Sequence, residues 1–174
     1  MKHALIFRVV LGLILSSCLS SCGMAFRSEW KKAPVTSGVE GKWKGTWLSD
    51  ANGHHGDLSC VVTKAYAEPF ICGTCLSPTA RTALQRESKR ESLLPHPFSF
   101  FYRATWKTIL SGSYKSTHTV QLQKDGTYVF KGEHKMPGWA GGLYHYEGTI
   151  KGDEFKANYR CAMDNGTYTM KRVR

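Results

Sequence analysis

The sequence predicts an all-β fold: an antiparallel, up-and-down barrel of eight to nine short strands with one short helical insertion. Three observations point there. Apolar residues alternate with polar ones from Gly41 onward, the period of a half-buried strand. Turn dipeptides punctuate the alternation: Asn52-Gly53, Asp125-Gly126, Gly152-Asp153 and Asn165-Gly166. The strands follow at hairpin spacing, and a sheet of that kind either closes or exposes edges that template aggregation.

The elements follow in order. Lys2 and Arg8 precede an apolar run, Val9 to Leu15, and Leu-Ser-Ser-Cys then occurs twice, ending at Cys18 and at Cys22. The run is shorter than the ~20 residues that span a bilayer. A charged start, a short apolar stretch and small residues make an export signal. With cysteine in the last position, the segment resembles a bacterial lipoprotein signal, residues 1–22, ending at its lipobox. Cys22 is the expected lipid attachment site, with Cys18 as the alternative. Gly23-Met24-Ala25 leaves plain secretory cleavage as a competing reading. Residues 23–39 show no sustained periodicity and read as a tether.

The barrel is expected over residues 40–174. Trp43, Gly45 and Trp47 alternate with Lys42, Lys44 and Thr46. Leu58, Cys60 and Val62 share the next strand's apolar face, with Val61 out of phase. A strand is expected from Phe70 to Thr74. Phe98, Phe100, Tyr102, Ala104 and Trp106 share a face. Ser113–Gln123 and Thr127–Glu133 flank Asp125-Gly126. Tyr144, Tyr146 and Ile150, then Phe155, Ala157, Tyr159 and Cys161, then Tyr168, Met170 and Arg172, line the last three strands. Only residues 77–95 break the pattern. Ser77-Pro78 is a favoured helix start, and Pro95 and Pro97 a stop. Arg81, Arg86, Lys89 and Arg90 make this insertion basic.

Size allows one domain with a real core. The chain carries 24 basic and 13 acidic residues, a net charge of +11. Loss of Lys2 and Arg8 with the signal leaves 22 against 13, or +9. That balance favours anionic partners, which in an envelope are lipid head groups and acidic polymers. Nucleic acid is excluded as a partner by export.

Gly41-Lys42-Trp43 at the start of the first strand resembles the Gly-x-Trp signature of the lipocalins and their calycin relatives. The resemblance implies a tryptophan that plugs the closed end of a barrel. It also implies an arginine from the last strand packed across that ring, which Arg172 matches in position. The runs Gly141–Gly148, Gly152–Tyr159 and Asp164–Tyr168 resemble uncharacterised bacterial envelope proteins with lipocalin-like barrels. Ser111-Gly112-Ser113-Tyr114 falls one residue short of the Ser-Gly-x-x-Tyr loop of periplasmic lysozyme inhibitors.

Several residues are candidates for chemistry. Cys60, Cys72, Cys75 and Cys161 are disulfide candidates, since thiols oxidise in exported proteins; buried free thiols and a zinc site are the alternatives. His134 and His145 flank the loop that holds Trp139. No nucleophile elbow, phosphate loop or zincin motif occurs, so no catalytic residue, metal or cofactor is expected. Trp43, Trp47, Tyr102, Trp106, Tyr144, Tyr146, Tyr159 and Tyr168 fall on inward faces. They are the expected ligand-binding residues, set against the alternative that they form a solid core. The expectation is a non-enzymatic, lipid-anchored protein of the cell envelope, facing the periplasm or exterior and binding a small apolar or amphipathic ligand. The alternative is a surface that binds an anionic envelope component or a protein.

Overall fold

A computed structural model describes residues 23–65, 94–106 and 110–174. The signal with Cys18 and Cys22, the strand expected at Phe70–Thr74, and the basic insertion up to Leu93 lie outside them.

Eight strands form a closed antiparallel barrel in sequence order. They are β1 Gly41–Ser49, β2 His55–Lys64, β3 His96–Trp106, β4 Leu110–Leu122, β5 Tyr128–Lys135, β6 Leu143–Lys151, β7 Glu154–Arg160 and β8 Asn165–Val173. The last strand pairs back on the first, with Trp43 opposite Arg172 and Trp47 opposite Tyr168. Closure leaves no free edge to template aggregation.

Alternation fixes the interior. In β7, Phe155, Ala157 and Tyr159 are buried and their neighbours exposed. The curvature is tight: a Cβ on Gly45 would sit 2.0 Å from the Thr169 carbonyl oxygen, so the two backbones meet where no side chain fits.

The base, where β1 begins and β8 ends, is sealed. Trp43 is wholly buried and donates its indole N–H to the Val39 carbonyl at 3.2 Å. Arg172 lies over that ring, 4.1 Å from its centroid. Its guanidinium donates to the Glu40 carbonyl at 2.9 Å, the Gly152 carbonyl at 3.1 Å, the Asp153 carboxylate at 3.0 Å and the Gly38 carbonyl. One side chain thus ties the last strand, the β6–β7 turn and the entry to β1.

Two expectations need correction. Residues 23–32 of the expected tether are helical and form α1. Phe26, Trp30 and Ala33 recur at helical spacing and pack on the outer wall against Val61 and Phe101. Val61, the residue out of phase, points outward and is buried by this helix. Asn165-Gly166 makes no turn either: residues 161–164 link β7 to β8, and both residues belong to β8. Gly166 is needed for close approach, since a Cβ there would meet the Leu48 carbonyl oxygen at 2.0 Å.

Candidate functional site

The interior has two parts. Its lower part is solid. Phe100, Phe130, Phe155, Ile150, Val62, Cys60 and Met170 fill it, with Tyr102, His118 and Leu58 above them. Phe130 packs with tilted rings against Phe100 and Phe155 at centroid separations of 5.1 Å each. Trp43 and Tyr102, both expected to bind ligand, belong to this packing. Each is fully buried, and neither lines the cavity at the mouth.

The upper part opens. A cavity of about 200 Å³ lies at the mouth, lined by Trp47, Trp106, Tyr144, Tyr146, Tyr159 and Tyr168, six of the eight expected residues. Tyr114, Ala104, Met136, Asn52, His54 and Asp164 complete it. Register brings them together: Trp47 is opposite Tyr168 across β1 and β8, and Tyr146 is opposite Tyr159 across β6 and β7.

The hydroxyls are organised. Tyr146 donates to the Tyr114 oxygen at 3.0 Å, and Tyr114 and Tyr168 share a bond of 3.2 Å. Tyr159 donates to Asp164 Oδ2 at 3.1 Å, while Ser49 donates to Oδ1. Tyr144 donates to the Ala140 carbonyl at 3.1 Å. Burial pushes the phenols of Tyr114 and Tyr168 well above their ordinary value, and that of Tyr146 up to about 12. All stay protonated at neutral pH. The wall is thus aromatic, studded with neutral hydroxyls, with one carboxylate at the rim.

The rings above are also fixed. Trp47 donates its indole N–H to the Thr105 carbonyl at 3.0 Å. Trp106 meets Trp47 edge-on at 6.1 Å and His54 at 5.1 Å.

Other expectations resolve differently. Cys60 and Cys161 are both free thiols, not a disulfide. Cys60 lies level with Trp43, which faces Arg172, whereas Cys161 lies beyond Arg160, which faces Asn165. Seven residues of β8 separate those levels, roughly 23 Å, far past the ~7 Å reach of a bridge. Cys72 and Cys75 lie outside the described residues. His134 and His145 occupy opposite faces of the wall: His134 points inward and stacks on Tyr114 at 5.1 Å, while His145 faces out and meets Glu133 at 2.9 Å. Among the described residues no cluster of His, Cys, Asp or Glu is arranged to hold a metal. Ser111 to Tyr114 lie within β4 rather than in a loop, and Tyr114 turns its hydroxyl inward.

Tyr114 and Asp164 went unassigned in the sequence. Tyr114 is in phase with Val120 on β4, a signal that was present. Asp164 lies in a turn, where no periodicity reveals direction.

Comparison of the chain with protein-family models, with curated proteins and with solved structures finds no match.

Proposed function

We propose that this protein is a non-catalytic binding module of the cell envelope that holds one small amphipathic molecule in the barrel mouth. The cavity carries the reading. Its aromatic lining with a few convergent polar groups is the usual chemistry of a small-molecule site. At about 200 Å³ it has room for about seven water-sized volumes, below the ~300–1,000 Å³ of drug-sized pockets. The packed rings beneath it leave no channel for an extended acyl chain. A ligand of one or two rings fits, its faces against Trp47 and Tyr168 and a donor group toward Asp164. The repeated Leu-Ser-Ser-Cys box supports a lipid anchor at Cys22 or Cys18.

Tryptophan fluorescence tests this with uncharged aromatic probes graded from phenol to naphthol. Saturable quenching is expected for the larger probes. Trp47→Ala should abolish it, and Tyr146→Ala should weaken it by about tenfold or more. Linear, non-saturating quenching that both variants share would reject the reading.

A second reading rests on the outer wall. Arg27, Lys31, Lys44 and Arg103 line a groove beside α1, with Asp57 as the acid among its lining residues. Such a surface suits an anionic envelope component. Its binding would weaken steeply with salt, whereas occupancy of the cavity by a neutral probe would not.

A further inference from the structure

The mouth carries most of the large apolar side chains that the described residues leave in water. Leu48 ends β1, Trp106 ends β3 and Leu143 starts β6, and all three are exposed. Trp139, on the turn before β6, is 86% exposed, and Met163, between β7 and β8, is 67% exposed. Four separate chain segments supply these residues, and the topology gathers them at one end of the barrel. The base differs: there Arg172 and Arg174 pair with Asp153, and Lys151 pairs with Asp125. Exposed apolar residues scattered singly are ordinary, but a ring of them around an opening marks an interaction surface.

Two features point to lipid as the occupant. Tryptophan beside aliphatic side chains at a boundary with water is the composition of membrane interfaces. The outer wall beside α1 agrees. The 22 residues before Gly23 join the start of that helix, and its Phe26, Arg27, Trp30 and Lys31 share a groove with Arg103 and Thr105, at the mouthward end of β3. The basic groove on that flank complements anionic head groups.

We propose that the rim of the mouth docks on a lipid bilayer, with Trp139 and Met163 at the boundary between head groups and acyl chains. The barrel then opens toward the membrane. Docking needs no occupant in the cavity, so it stands or falls separately from the ligand reading.

The full chain, reconstituted in vesicles of phosphatidylethanolamine and phosphatidylglycerol, provides the test. Residues 1–22 contain no tryptophan, so their insertion contributes no signal. Trp139→Phe isolates the Trp139 emission by difference; the side chain is exposed, so the fold tolerates the change. Lipids brominated on the acyl chain should remove the larger part of that emission, and vesicles should shield it from aqueous iodide. Equal iodide quenching with and without vesicles would overturn the proposal. Shielding from iodide without quenching by brominated lipid would also overturn it, in favour of contact between protein copies.

Discussion

His118 sits at the centre of the barrel with no exposed surface. Its Nε2 lies 3.4 Å from the Tyr102 hydroxyl, and its Nδ1 has no partner among the described residues. Gly132 makes the site: a Cβ there would fall 2.1 Å from that Nδ1. Burial, with His134 nearby, pushes the imidazole down to about 3. The unfolded chain takes up this proton near pH 6.5 and the folded one only near 3, so stability falls as pH drops between those values. The slope reaches about 1.4 kcal/mol per pH unit once the unfolded imidazole is charged. Urea unfolding at pH 7 and pH 5 should show this loss, and His118→Leu should remove it; an unchanged slope in the variant would assign the loss to other groups. Arg172 is the second residue-scale test. Arg172→Met removes the guanidinium from the Gly38, Glu40 and Gly152 carbonyls, of which Glu40 keeps the Thr36 hydroxyl, and should cost roughly 2–4 kcal/mol. Lysine lacks the planar fork, so Arg172→Lys should recover little of it. A lysine variant with the wild-type urea midpoint would refute this role. The pairing of Trp43 with Arg172 was expected from the resemblance of Gly41-Lys42-Trp43 to the Gly-x-Trp signature, with which the parity of Arg172 and a cation–ring attraction agree. The position of the His118 ring was not, because room for it depends on a glycine of another strand.

At the scale of elements, strands were easier to read than their exceptions. Strict alternation placed β6, β7 and β8 to within a few residues. Val61 broke the pattern and was in fact a signal: it lies opposite Phe101 on the outer face, and two apolar residues there require a cover. Phe26 and Trp30 supply it, yet they lie far off in sequence, on a helix too short to declare itself among glycine, proline and charge. Docking rather than propensity holds such a helix. Phe26→Ala should therefore cost roughly 3 kcal/mol and free α1 from the wall. Limited trypsin digestion checks it: cleavage at Lys31 and Lys32 should speed up while the barrel stays intact. Unchanged cleavage would mean that α1 does not depend on Phe26. The misplaced last turn has a similar cause. Asn165-Gly166 has turn chemistry, but the glycine answers a close approach between strands.

For the whole molecule, closure follows from hairpin order and inward rings, both visible in the sequence. How full the barrel is was not visible, because alternation gives the face of a residue and not the space left between faces. Phe100, Phe130 and Phe155 fill the base, while Gly45, Gly148 and Gly166 draw the strands close. Among the described residues the interior space lies where the strands end and the turns spread, which is why six of the eight aromatics meet at the mouth and two do not. The account depends on that division between a sealed base and a receptive mouth. Amide and aromatic chemical shifts, followed while 2-naphthol is titrated into the full chain, examine it directly. Saturable shifts should appear at Ala104, Tyr114, Tyr146 and Tyr168 and be absent at Phe100, Phe130 and Phe155. Shifts centred on the lower rings, or none at the mouth, would contradict it.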